Sequence, residues 1–175
     1  MITTYYYSQI PSTGLLRIEN NIMYSNTSDD GGVIYMRGKG GIVIHNNLIY
    51  NNKAINYSAA VWIRDHDDPS RMTFTKNVVY NNVAPGAAAL EVYKGKGPVV
   101  NSSLVMNNKP IDKASAWGSA YSMVGGNPLF VDPAKGDFRL QKGSPAINAG
   151  DPALPYDSDH TRTDMGCDFS KLPTP

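Results

Sequence analysis

The sequence predicts an all-β fold, a parallel β-helix solenoid of about five or six coils with three strands per coil. Segments of similar pattern recur along the chain, and each alternates apolar and polar residues with the period of a β-strand. The segments are rich in Ile, Val, Tyr and Thr and are interrupted by Asn and Gly. This composition favours strands over the helices of a helical repeat protein.

Successive coils open in the same way, with an apolar strand, an Asn turn and a second short apolar run. The opening strands begin at Leu16, Ile42 and Met72. The extra residues of the middle interval fall in the loop from Asp65 to Ser70, so the insertion leaves the coils intact. One asparagine recurs in register at spacings of 26, 30 and 26 residues, as Asn26, Asn52, Asn82 and Asn108.

Asparagine at a corner tolerates the left-handed backbone conformation and can hydrogen-bond nearby backbone, so stacked corners should form amide ladders. A third strand follows this asparagine in each coil, at Val33 to Arg37, Ala60 to Arg64 and Ala89 to Tyr93. A coil cannot bury its own inner face, so stability should come from stacking, with a cap at each end. We predict one domain over residues 1–175, with an N-terminal coil or cap at 1–14, repeats at 15–123, and a C-terminal coil and cap at 124–175.

Composition narrows the class of partner. The 16 Lys and Arg nearly balance 15 Asp and Glu, which argues against a nucleic-acid surface. The single cysteine, Cys167, excludes an internal disulfide and every multi-cysteine metal pattern. No apolar run is long enough to span a bilayer, so no membrane partner is expected. The eleven Tyr and two Trp, against four Phe, suggest a partly wet binding face instead.

Alternation in the third strands points two rows of side chains inward and two rows outward. The inward residues are aliphatic, as in Ile34, Val61 and Leu90. Aromatic rings pack on the C–H faces of pyranose sugars, while Arg and Glu hydrogen-bond their hydroxyl groups. The alternative is that exposed aromatics simply fit a pleated surface. The predicted ligand-binding residues are Tyr35, Arg37, Trp62, Arg64, Glu91, Tyr93 and, one coil further, Trp117.

The loop after the second of these strands holds the densest cluster of charge. Asp65, Asp67 and Asp68 could together hold calcium, which prefers oxygen ligands. The same residues also read as an ordinary solvated turn, and the glycine of a calcium loop is absent. Glycoside hydrolysis would need two facing carboxylates, and Glu91 with Asp65 is the one pair placed on this face. We therefore predict no catalytic residues and no required cofactor, with calcium as the open possibility.

The tail carries several short motifs in addition to the coils. With the coils, they cover nearly the whole chain and resemble the right-handed parallel β-helix superfamily, which includes pectate-lyase-like proteins and secreted bacterial members with a similar ending. The resemblance implies right-handed coils and an extracellular location, with any export signal lying before residue 1. Cys167 to Phe169 depart from the usual ending. The matching residues are Asn127 to Pro133, Asp137 to Leu140, Gly143 to Asp151, and Arg162 with Asp164 to Gly166.

The chain also resembles β-helical carbohydrate-binding modules of plant-cell-wall-degrading systems, some of which bind xylan. This resemblance implies a non-catalytic module for a xylan-like hemicellulose, tethered to a catalytic domain in a longer protein. Two alternatives remain open. One is a small calcium-dependent lyase acting on uronate polymers, and the other is the C-terminal capping fragment of a larger β-helix enzyme.

Overall fold

Parallel β-sheets dominate the fold. The computed structural model describes residues 6–29, 31–66, 68–94, 97–110 and 121–173, with side chains from residue 11 onward. Within these residues, each strand of three sheets pairs with the equivalent strand one coil away. The predicted all-β parallel solenoid is therefore confirmed.

Sheet A contains the predicted third strands and is parallel throughout. Its register pairs Tyr35 with Trp62, and Trp62 with Glu91, as the alternation of apolar and polar residues predicts. The strands are β1 (Tyr6–Ile10), β5 (Ile34–Gly38), β9 (Val61–Arg64) and β12 (Leu90–Tyr93).

The other sheets follow around the coil. Sheet B consists of β2 (Leu15–Glu19), β6 (Gly41–His45), β10 (Met72–Thr75) and β13 (Val100–Asn101). Sheet C consists of β3 (Ile22–Tyr24), β7 (Leu48–Tyr50), β11 (Val78–Tyr80), β14 (Leu104–Met106) and β15 (Met123–Val124). A two-stranded pair, β4 (Thr27–Ser28) with β8 (Lys53–Ala54), lies between sheets C and A along the chain.

The described residues contain four three-stranded coils and one strand of a fifth, fewer than the five or six expected. The difference arises in the tail, where β16 (Phe130–Asp132) and β17 (Asp137–Leu140) form an antiparallel hairpin. Their apolar alternation resembles that of a coil strand. The turn between them, a 3₁₀ helix at Pro133–Lys135 ending at left-handed Gly136, directs the chain back instead of onward. Two further 3₁₀ helices cover Pro69–Arg71 and Phe169–Lys171.

The core inside the coils is aliphatic, with one buried phenylalanine, Phe74. Equivalent residues of successive coils stack on one another, because parallel strands in register place like side chains about 4.8 Å apart. Each coil therefore buries its inner face against its neighbours. Representative members of this core are Ile34, Val61 and Leu90 from sheet A, Ile42 and Met72 from sheet B, and Ile49, Val79 and Val105 from sheet C.

The predicted asparagine ladder is present at the corner after sheet C. The Nδ2 group of each asparagine donates to the Oδ1 atom of the next, at 3.0 Å from Asn26 to Asn52, and at 2.9 Å from Asn52 to Asn82 and from Asn82 to Asn108. The residue before each of these four asparagines adopts the left-handed conformation, for example Asn81 with φ of 52°. The left-handed backbone and the ladder hydrogen bond, both predicted for the same corner asparagine, thus fall on two neighbouring residues.

A second ladder runs along the corner between sheets B and C. Asn21 donates to Asn47 at 3.0 Å, and Asn47 donates to Asn77 at 3.1 Å. The ladder ends where the backbone N–H of Asn77 donates to the Oγ atom of Ser103 at 3.0 Å. Lys76 occupies the left-handed position at this corner, with φ of 56°, where the previous coils have asparagine.

Residues 125–173, here called the C-terminal arm, pack along the outer side of sheet C. Phe138 is fully buried and its ring centroid lies 4.8 Å from that of Tyr50. The arm is also fixed at the corner between sheets B and C, where Lys76 forms an ion pair of 2.6 Å with Asp157. Cys167 donates its thiol to the carbonyl of Asn47, and burial raises the pKa of that thiol. The outer face of sheet C is therefore part of a second core.

Candidate functional site

The outward side chains of sheet A form two rows across the coils. The strand residues that alternate with these rows are aliphatic and face the core. The rows themselves therefore lie on the solvent side of the sheet. We name this surface the outer A face. Its described members are Tyr35, Trp62 and Glu91 in one row, and Arg37, Arg64 and Tyr93 in the other. The seventh predicted residue, Trp117, lies outside the described residues.

Trp62 points outward but is not exposed, which corrects the expected open aromatic wall. Its ring stacks on that of Tyr35 at a centroid distance of 4.6 Å and on that of Tyr57 at 4.7 Å. These contacts leave 6% of the residue exposed. A sugar cannot lie flat on a ring that is already covered in this way, so Trp62 cannot serve as the stacking surface.

Tyr57 was missed by the sequence analysis because it lies in a loop. Strand alternation assigns a face only to residues within a strand, and Tyr57 precedes β9 by four residues. Its ring is nearly parallel to that of Trp62, at 13°, and the residue is 46% exposed. The excess of tyrosine in the composition was the one available signal. Among the described residues, Tyr57 and Tyr93, which is 42% exposed, are the most accessible aromatic residues at this surface.

The second row is basic and is organised by one carboxylate. Arg37 donates to Asp65 at 2.8 Å, and the Nε atom of Arg64 lies 3.7 Å from the same carboxylate. The guanidinium of Arg64 also lies over the ring of Tyr93, 5.1 Å from its centroid, and the Lys94 ammonium lies 5.5 Å from that ring. One acid therefore lies between two guanidinium groups, and the guanidinium of Arg64 also lies beside an exposed aromatic ring, an arrangement suited to hydroxyl-rich ligands.

Polar atoms without partners are concentrated in this region. Of the five buried side-chain nitrogen and oxygen atoms that lack a hydrogen bond among the described residues, three belong to Trp62, Arg64 and Glu91. A fourth is Nδ1 of His66, whose Nε2 atom contacts the carbonyl oxygen of Gly40 at 2.7 Å. Burial raises the pKa of Glu91. Because buried polar groups are normally paired, such a cluster is more typical of a functional surface than of a structural one.

The acidic loop is arranged as a turn. Asp65 pairs with Arg37, and Asp68 caps the 3₁₀ helix by accepting from the backbone and the hydroxyl of Ser70. The Ser70 hydroxyl lowers the pKa of Asp68. Asp67 lies outside the described residues. Across the part of the chain that the structure describes, no group of three His, Cys, Asp or Glu residues is placed to hold a metal ion.

The family model for the right handed beta helix region matches residues 7–128, which is more than half of the chain. The chain belongs to the right-handed β-helix family. The match ends at the beginning of the C-terminal arm and includes every residue of the outer A face. No curated protein and no solved structure matches the chain in the other two comparisons.

Membership of the right-handed β-helix family supports a polysaccharide-related role in general terms. The fold itself does not specify a ligand, so the ligand has to be argued from the side chains of the outer A face. In the described part of this β-helix, no helix is long and apolar enough to cross a membrane.

Proposed function

We propose that the protein is a non-catalytic carbohydrate-binding module that recognises a plant-cell-wall polysaccharide, with a xylan-like hemicellulose favoured, through the outer A face. The observation that carries the proposal is the combination of exposed Tyr93 with the guanidinium groups of Arg64 and Arg37 on one rigid sheet. Aromatic rings supply packing for the C–H faces of sugars, and guanidinium groups donate to their hydroxyls.

The surroundings of the two carboxylates, Asp65 and Glu91, favour binding over catalysis. Glycoside hydrolysis uses one acid and one base or nucleophile, on opposite sides of the scissile bond. Asp65 is held in an ion pair with Arg37 and orients the basic row. Glu91 has one buried oxygen atom and stacks in register beside Trp62. These placements suit positioning of a ligand more than proton transfer to it.

An extracellular location follows from this proposal, since plant-cell-wall polymers lie outside the cell. The module would then act within a longer protein, holding a tethered catalytic domain close to its substrate. Tethering raises the effective concentration of the catalytic domain at the polymer surface without any new contact.

Affinity electrophoresis tests the proposal directly. The protein is run through gels containing neutral xylan, glucan or mannan, or pectin or alginate, with and without calcium. We expect retardation by xylan, independent of calcium and without release of product. Tyr93→Ala should weaken the affinity obtained from the retardation about tenfold, since stacking on one aromatic ring is worth about 1–3 kcal/mol in the comparable case of nucleic-acid bases.

Tyr156→Ala is the matched control, because Tyr156 is 68% exposed but lies in the C-terminal arm. It should migrate like the unmodified protein in every gel. Cleavage of a uronate polymer, detected as ultraviolet-absorbing unsaturated product in the presence of calcium, would replace the proposal with a lyase. Absence of retardation by every polymer would reject the binding module.

A further inference from the structure

We infer that Tyr57, a loop residue outside the strand rows, is the ring on which a sugar stacks, and that Trp62 is a positioning residue beneath it. The inference rests on the proposed function and names the contact residue of that same surface. It also names the ligand element, a single pyranose ring that presents its C–H face.

The ring geometry gives Trp62 and Tyr57 different roles. Trp62 is 6% exposed and packs against Tyr35 as well as Tyr57. Tyr57 is 46% exposed, although it stacks on Trp62 at 4.7 Å. The three rings thus form a stack in which the largest one is internal and a loop tyrosine is accessible. The ring beneath holds the accessible ring in one plane before a ligand arrives. Little side-chain entropy is then lost on binding.

The loop that carries Tyr57 is held by backbone bonds to the loops of both neighbouring coils. The N–H of Asn56 donates to the carbonyl of Asp29 at 2.9 Å, and the N–H of Gly86 donates to the carbonyl of Tyr57 at 3.2 Å. The Ser58 hydroxyl closes the loop on its own strand by donating to the carbonyl of Val61 at 3.0 Å. The ring is therefore presented from an ordered backbone, which suits a preformed platform.

Glycines in the two adjacent loops allow close packing next to Trp62 and next to the backbone of Tyr57. A Cβ atom on Gly31 would lie 3.0 Å from the Trp62 ring, and one on Gly86 would lie 3.2 Å from both the Tyr57 carbonyl and a Glu91 oxygen. Neither φ angle is positive, so conformational freedom does not explain these glycines. Their small size instead lets the Trp62 ring and the Glu91 carboxylate pack directly against the backbone of the two loops.

Ligand titration of Tyr57 variants tests the inference. All variants are made with Trp117→Phe and compared with that single variant, so that Trp62 is the one remaining tryptophan. The ligand is a xylan oligosaccharide, and both calorimetric affinity and Trp62 fluorescence are followed. Tyr57→Ala should weaken binding at least tenfold and abolish the ligand-induced change in Trp62 emission. Tyr57→Phe should preserve both signals within about twofold, because stacking does not need the hydroxyl.

Trp62→Phe tests the positioning role by calorimetry alone. It should weaken binding by a smaller factor than Tyr57→Ala, since a smaller ring still supports Tyr57. Wild-type affinity in Tyr57→Ala, together with loss of binding in Tyr93→Ala, would overturn the inference and leave the proposed function standing. Failure of the unmodified protein to bind any polymer would overturn the proposed function itself. Thermal unfolding of each variant shows whether a loss of affinity reflects a loss of fold.

Discussion

The outer faces of sheets A and C are built by the same alternation of residues, but one is exposed to solvent in part and the other is buried. Sheet C presents Leu48, Val78 and Leu104 outward, and the C-terminal arm covers them. Sheet A presents aromatic and charged residues, and short loops of its own coils partly cover them. The comparison shows that alternation decides which side chains leave the solenoid, whereas the covering segment decides whether they stabilise the fold or meet a ligand.

Phe138→Ala should have the largest effect on stability, since it removes the side chain at the centre of the covered outer face of sheet C. Phe138 is fully buried among Tyr50, Tyr80 and Phe130, at centroid distances of 4.8, 5.2 and 5.1 Å. The cavity should lower the free energy of unfolding by about 3–5 kcal/mol. Urea denaturation measures this change, and limited proteolysis should show earlier cleavage in the arm.

Val131→Ala is its control in the same hairpin, because Val131 is 45% exposed and should change the unfolding free energy by no more than about 0.5 kcal/mol. If Phe138→Ala lowered the unfolding free energy no more than Val131→Ala does, the arm would contribute little to stability. Xylan binding by folded Phe138→Ala should match that of the unmodified protein, since the outer A face is built from other strands.

Lys76→Met should have a smaller effect, by loosening the arm at the corner instead of along the sheet. Lys76 is 8% exposed, and its ammonium group contacts the Asp157 carboxylate and the Thr163 hydroxyl. Removing the cation leaves a largely buried carboxylate without its partner charge, which should cost about 1–3 kcal/mol of unfolding free energy.

The comparison variant for this measurement is Lys135→Met, which breaks the exposed ion pair with Asp132. It should cost no more than about 0.5 kcal/mol in the same urea titration. Equal effects of the two substitutions would contradict the view that the corner contact anchors the arm.

Glu91→Gln should have the smallest effect and the opposite sign at neutral pH. Burial raises the pKa of Glu91, so the folded state favours the protonated form more than the unfolded state does. The stability this provides is complete below the unfolded pKa, about 4.3, and is lost as the pH rises through the higher folded value. Thermal unfolding should show a slightly higher Tm for the variant at pH 7, with the difference vanishing near pH 3. A constant difference at both pH values would exclude ionisation as the cause.

The sequence was sufficient for the coil pattern because that pattern is local and repeated. Alternation placed Tyr35, Trp62 and Glu91 in one outward row, and the recurring asparagines gave the ladder. The burial of Trp62 could not be predicted from the sequence, because part of its cover is the ring of Tyr57, and the direction of that side chain depends on loop geometry. The coil count failed for a related reason, since the alternation of β16 and β17 does not reveal whether the partner strand is parallel or antiparallel.

The arm also gives the solenoid a mechanical property that coil stacking alone lacks. Adjacent coils pair residues only 26 to 30 positions apart, so a solenoid pulled at its ends can peel open one coil at a time. The arm instead binds successive coils along the axis. The N–H of Asp168 donates to Asn46, Asp157 pairs with Lys76, and the N–H of Gly166 donates to the carbonyl of Ser102. Tension along the axis therefore loads three coils in parallel, and the force needed to begin unravelling is shared among them.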